Sequence, residues 1–141
     1  MAYLKDDIGI LFCSKIDNNP RAAIEHLKNN EKLYWSTIGF SIKRENFTYP
    51  LIGLIHISGD NVRYKCKIAD IKPYESSHHQ DSTKKPQEWI IEQKDYPQTN
   101  YGSTLVIIEI EPFYYETREL MGIDGNKVNN PPRGYQRIRL P

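Results

Sequence analysis

Apolar residues fall along this chain in short blocks set apart by polar breaks, and the period inside each block differs. Residues 8–14, IGILFCS, form an apolar run of strand length. The break that follows, DNNP, places Asn19 before Pro20, a cap residue and then a proline suited to a first helical turn. Ala23, Ile24 and Leu27 then share one face at helical spacing, which predicts a short helix that depends on packing for its stability. KLYWSTIGF, residues 32–40, reads as a second strand, and SIKRENFTYP after it as a polar loop carrying Phe47 and Tyr49. Residues 51–57, LIGLIHI, are apolar on both faces and predict a central strand. After a turn signal, SGDN, a period of two appears. Val62, Tyr64, Cys66 and Ile68 alternate with Arg63, Lys65 and Lys67, as on a half-exposed strand returning from a hairpin.

Residues 74–103 are polar and long for a connection inside a compact domain. TLVIIEIEPFYY, residues 104–115, is a clear strand. TRELMGIDG predicts a short helix stopped by Gly125, and Tyr135, Arg137 and Arg139 alternate with Gln136, Ile138 and Leu140 as on an edge strand. The expected architecture is α+β. It is a twisted, mostly antiparallel sheet of about five to six strands, closed or half-closed into a small barrel, with two or three short flanking helices.

Composition narrows the class. The 141 residues suit one domain, residues 1–141, and no internal repeat is present. Mean hydropathy is −0.67, with no apolar run of membrane-spanning length, so no membrane partner and a cytoplasmic setting are expected. Nineteen basic against 18 acidic residues give a net charge of +1, which argues against grip on nucleic acid through bulk phosphate attraction alone. The basic surplus is local: from Thr117 to Pro141 five basic residues face two acidic ones. Cys13 and Cys66 stand apart from any CxxC pair, which predicts reduced, packing cysteines rather than zinc ligands.

Signals of catalysis are sparse. His78 and His79 are adjacent among polar residues and read as a solvated loop rather than a metal face. Cys13 lacks a His nearby in sequence, neither SGD nor GIDG opens a helix as a phosphate loop would, and Glu109 and Glu111 share one strand face, an arrangement usually solvated. The expectation is a protein without catalysis, metal or cofactor. The two tryptophans carry more information. Trp35 begins a strand, where core is the ordinary role. Trp89, in STKKPQEWIIEQ, lies in a stretch too polar to form a core of its own, so it packs back on the domain, marks a partner surface or lines a site.

Several stretches, in order, resemble the YTH domain. ILFCSKIDNNPRAAIEH and LYWST are similar to its opening strand, helix and Trp-Ser-Thr strand. PLIGLIHISGDNVRYKCKIADI is similar to its hairpin, KKPQEWIIEQ to the loop with its second Trp, and NPPRGYQRIRL to its terminal Arg-containing segment. The resemblance implies a PUA-like barrel, related to EVE and ASCH domains, that reads N6-methyladenine in RNA without catalysis. Trp35 and Trp89 would be the cage walls, and Asn19 the residue bonded to the adenine ring unless it serves as helix cap. Ser14 and Ser36 would lie next to the base, and Arg133 on a phosphate. In such a reader Arg137, Lys127 and Lys15 would hold further flanking phosphates. Cys13 replaces the family's Lys before Ser, and Tyr96 or Tyr101 would have to supply the third wall. Two roughly parallel indoles about 7 Å apart would admit one base at van der Waals separation.

The partner implied is methylated RNA or DNA, with a restriction or NTPase module as a possible companion domain. Two alternatives stand beside it. One is an EVE-like or McrB-type module reading other modified DNA bases such as methylcytosine. The other is a PUA-like domain that docks a protein.

Overall fold

The computed structural model describes residues 8–14, 18–57, 63–79, 83–86, 101–116, 119–123 and 134–140, together with Trp89, Gly125 and Lys127. Among the described residues these elements follow in order: β1 (Ile8–Ser14), α1 (Asn18–Leu27), β2 (Leu33–Ile38), β3 (Leu51–Ile57), β4 (Arg63–Pro73), β5 (Tyr101–Pro112) and β6 (Tyr135–Arg139). They form one mixed sheet in the order β2-β5-β4-β3-β1-β6. The β1–β3 ladder is parallel, and the other four are antiparallel. Leu51–Ile57 is central, as its two apolar faces require, and β6 is an edge.

The sheet is sharply curled. Four strand spacings of about 4.8 Å would hold β2 roughly 19 Å from β1 in a flat sheet. Yet the Phe12 and Trp35 rings, one from each strand, lie 5.8 Å apart. Beyond the two edges, Phe40 just past β2 meets Tyr135 of β6 at 5.7 Å. Among the described residues no ladder joins β2 to β6, so side chains rather than backbone hydrogen bonds bridge the gap.

The curl has a local origin in the longest pair, β4–β5. Its register shifts on either side of Ile68. Irregularities of this kind add twist and bend to a strand. They also reset which parity faces the core. On β4 the buried positions run Tyr64, Cys66, Ile68 and then Ile71. On β5 the members of the larger core are Leu105, Ile107 and then Ile110, and Ile108 is 40% exposed.

The concave face holds the larger core, with Phe12, Trp35, Ile55, Ile68 and Leu105 among its members and Ala22 and Ala23 of α1 closing one side. On the opposite face of β1, β3 and β6 a smaller cluster gathers Leu11, Leu54 and Ile138 beneath Tyr115 and Leu120. The chain after β5 therefore folds back over the convex side. At residues 119–123 it is not the helix that the sequence predicts. Met121 and Gly122 make antiparallel bridges to Lys127 and Ile138, and the Gly125 amide donates to the Gly122 carbonyl at 3.0 Å. At Gly125, φ of 88° permits this tight return. Besides α1, 3-10 turns stand at Arg44–Asn46 and Ser76–His79, Glu119 lies in a further 3-10 turn and Trp89 is helical. No helix among them is long and apolar enough to cross a membrane.

Candidate base-binding site

The two tryptophans, separated by a long stretch of sequence, meet on the concave face. Trp35 is fixed by β2, whose residues Leu33 and Trp35 point inward while Tyr34 and Ser36 point outward. Trp89 arrives from the segment that precedes it, and three contacts strap that segment over the edge of β2. His26 Nε2 of α1 donates to the Thr83 carbonyl at 3.1 Å, and the Tyr34 amide donates to the Lys84 carbonyl at 2.6 Å. Lys85 Nζ donates to Ser36 Oγ at 3.2 Å on the outer face. The Trp89 amide closes a turn on the Pro86 carbonyl at 3.0 Å. The strap thus covers an edge strand that would otherwise be open to pairing, and clamps it with Lys85 on one face and Trp89 on the other.

The indoles do not form the parallel slot expected from the sequence. Their centroids are 5.4 Å apart and their planes cross at 83°, edge to face. Trp35 is 8% and Trp89 4% exposed. Edge-to-face contact is a favoured arrangement for two indoles, and it keeps water from both rings. Phe12 of β1 packs on Trp35, also edge-on at 79°. It is the third ring of the site, missed in sequence because its strand is far from both tryptophans along the chain. Tyr101 instead stacks on Tyr74 at 4.8 Å, and Tyr96 lies outside the described residues.

The remaining residues expected at the site divide. Ser36 stands on the face opposite Trp35, bound to Lys85, and so is not beside the indole pair. Asn19 lies within the first turn of α1 rather than ahead of it, so Pro20 also falls inside that turn, where its missing N–H costs nothing. The side chains of Asn19 and Ser14 lie outside the described residues, as do Lys15 and Arg133. Lys127 is exposed on its bridge to Met121. Arg137 is exposed with its guanidinium 5.5 Å from the centre of the Phe47 ring.

A histidine that the sequence reads as solvated, and a lysine that it does not single out, are built into the structure. His78 is buried rather than solvated. Its Nδ1 accepts from the Thr104 hydroxyl at 2.6 Å and from the Glu75 amide at 3.3 Å, and its ring meets Tyr34 edge-on at 4.9 Å. Burial, aided by Lys85, Lys72 and Lys84 and opposed by Glu75, pulls its pKa down, so the neutral ring is the native form. Lys85 is 1% exposed, and burial pulls its ammonium from 10.5 to about 8. Around this face Lys72 and Lys84 lie 5.7 and 5.4 Å from the Tyr34 ring centre.

Elsewhere the chemistry is quiet. Cys13 has His56 as its register partner on β3, and His56 has Arg63 on β4. Burial raises the Cys13 thiol, against Arg63, and lowers His56 with Arg63's help, so the pair is neutral and lacks an activated thiolate. Glu109 and Glu111 are exposed and paired across strands with Lys67 and Lys65, each at 3.4 Å. Among the described residues no three metal-ligating side chains gather.

No protein-family model matches the sequence, and no curated protein or solved structure matches it.

Proposed function

We propose that this chain is a PUA-like, non-catalytic nucleic-acid reader that takes a modified base, foremost N6-methyladenine, into the pocket of Trp35 and Trp89. The observation that carries the reading is the convergence of the two indoles, one on a strand and one on a strap, edge to face at 5.4 Å. A curled six-stranded sheet with one helix suits a half-barrel of that kind.

The two indoles touch, so capture of a base is an exchange of one ring contact for another. An edge-to-face pair contributes about 0.5–1.5 kcal/mol beyond its buried area. A base stacked on an aromatic ring contributes roughly 1–3 kcal/mol, and two faces are available once Trp89 swings aside. The incoming base also restores the apolar cover that Trp35 loses. Extracting that base costs least from a single strand. The methyl group adds preference by filling an apolar corner beside Phe12, worth ~0.8 kcal/mol or about fourfold in affinity.

The test is a calorimetric titration of the chain with matched single-stranded oligonucleotides, RNA and DNA, carrying adenine, N6-methyladenine, cytosine or methylcytosine. The reading expects the N6-methyladenine strand to bind at least about fourfold tighter than its plain match. Preference for methylcytosine in DNA would reassign the pocket to a modified-DNA reader. Equal binding of marked and plain strands would leave the indole pair as core packing alone.

A further inference from the structure

A second aromatic group lies where the two edges of the sheet approach each other. Phe40, just past β2, lies against Tyr135 of β6 at 5.7 Å with the planes 31° apart, and Phe47 meets Tyr135 at 6.4 Å. All three rings are half-buried, so each keeps surface in water. The exposed Arg137 guanidinium lies over Phe47. This group is continuous with the indole pocket. Tyr135 is the register partner of Phe12, and residues directly opposite on an antiparallel pair share a face. Phe12 in turn touches Trp35.

The surface is held in place before any ligand arrives. Arg44 of the loop donates from Nε to Asp70 Oδ1, and the Tyr49 hydroxyl donates to the Arg44 carbonyl at 2.8 Å. Arg44 also lies 5.1 Å from the Tyr49 ring centre. Together they fix the loop that carries Phe47. Gly134, at φ 62°, brings β6 close to Phe40: a Cβ there would stand 3.3 Å from Phe40 Cγ. Such preorganisation lowers the ordering cost of binding.

We propose that this seam is a second nucleotide subsite, in which Phe47 and Tyr135 stack the base next to the one in the indole pocket and Arg137 meets a phosphate. The proposal rests on the reader assignment above and extends it from a base to a strand. Its occupant is single-stranded nucleic acid. Half-buried flat rings beside an exposed guanidinium suit unpaired bases, and this portion of the chain, Thr117 to Pro141, carries five basic against two acidic residues, a charge that complements a polyanion.

The experiment titrates the whole chain with N6-methyladenosine, with a single-stranded RNA pentamer centred on that base and with the same pentamer carrying plain adenine, at several salt concentrations. The wild type is compared with Phe47→Leu and Phe47→Ala, and with Arg137→Gln, each checked for a wild-type melting transition. Phe47→Leu keeps apolar volume without a flat ring, should Phe47→Ala fail to fold. The pentamer is expected to bind more tightly than the nucleoside. Loss of the Phe47 ring is expected to weaken the pentamer about fivefold or more. Arg137→Gln is expected to lower its salt slope by about 0.7. Folded variants with wild-type pentamer affinity and slope overturn the seam site, as does a pentamer that binds no tighter than the nucleoside or not at all. Pentamer binding that depends on Phe47 and Arg137 but shows no response to the methyl mark supports the seam while contradicting the indole pocket. Nucleoside binding with no gain for the pentamer does the reverse.

Discussion

At the scale of single residues, Trp35 and Lys85 show how one strand segment serves two faces. Trp35 was legible in the sequence as a large ring at a strand start, and its core role follows from alternation. Its partner was not. Nothing local ties Trp89 to Trp35, because the contact depends on a strap whose anchors, His26 and the Tyr34 amide, lie far from it in sequence. Trp35→Ala and Trp89→Ala are each expected to cost about 3–5 kcal/mol of stability by urea denaturation. The double variant should cost less than their sum by about 0.5–1.5 kcal/mol, whereas strict additivity would contradict the ring contact. Lys85 gives a pH signature. Its native pKa of about 8 lies below the ordinary 10.5. Between those values the unfolded chain holds a proton that the native chain has released, so this group's contribution to stability rises with pH across the window. The wild type should therefore gain on Lys85→Met from pH 8 to pH 10. A difference that stays flat, or moves the other way, would mean that the ammonium is not desolvated.

At the scale of elements, the alternation of β4 and the two apolar faces of β3 were readable because period and burial agree there. The register shifts in β4–β5 were not, since both strands keep β-like composition through them. Only the partner's register reveals that Ile108 has turned outward and Ile110 inward. His78 was misread for a related reason: a polar neighbourhood in sequence is no guide to a ring that folds down onto Thr104 of a distant strand. Within the stretch predicted as a helix, Met121 and Gly122 instead find partners in Lys127 and Ile138. The turn after β2 rests on a buried polar set. The Thr37 hydroxyl donates to the Phe40 carbonyl at 2.7 Å, and the Ser103 hydroxyl accepts from the Ile42 amide at 2.9 Å. Gly102 sits under that turn, where a Cβ would fall 1.9 Å from the Phe40 oxygen. Gly102→Ala should cost at least about 1–3 kcal/mol, the range for overpacking, because a backbone atom must give way. A thermal melt at the wild-type midpoint would show that the turn is looser than described.

At the scale of the whole molecule, the curl turns six short strands into a concave wall with an aromatic lining. That lining runs from Trp89 through Trp35 and Phe12 to the seam at Tyr135 and Phe47. Strand count and the central place of β3 followed from the pattern of apolar residues. The degree of curl depends on the β4–β5 irregularities and on rings that meet across the open edges. The resemblance to a base-reading domain directed attention to the two tryptophans, and their edge-to-face contact defines what such a reader would have to do first, which is open. The indole Nε1–H resonances of Trp35 and Trp89, the only two tryptophans in the chain, report on that opening directly. On titration with N6-methyladenosine, both signals are expected to move together as the ring pair separates around the base. Indole signals that stay fixed at saturating nucleoside would contradict the account, because the two rings would then be core and nothing more.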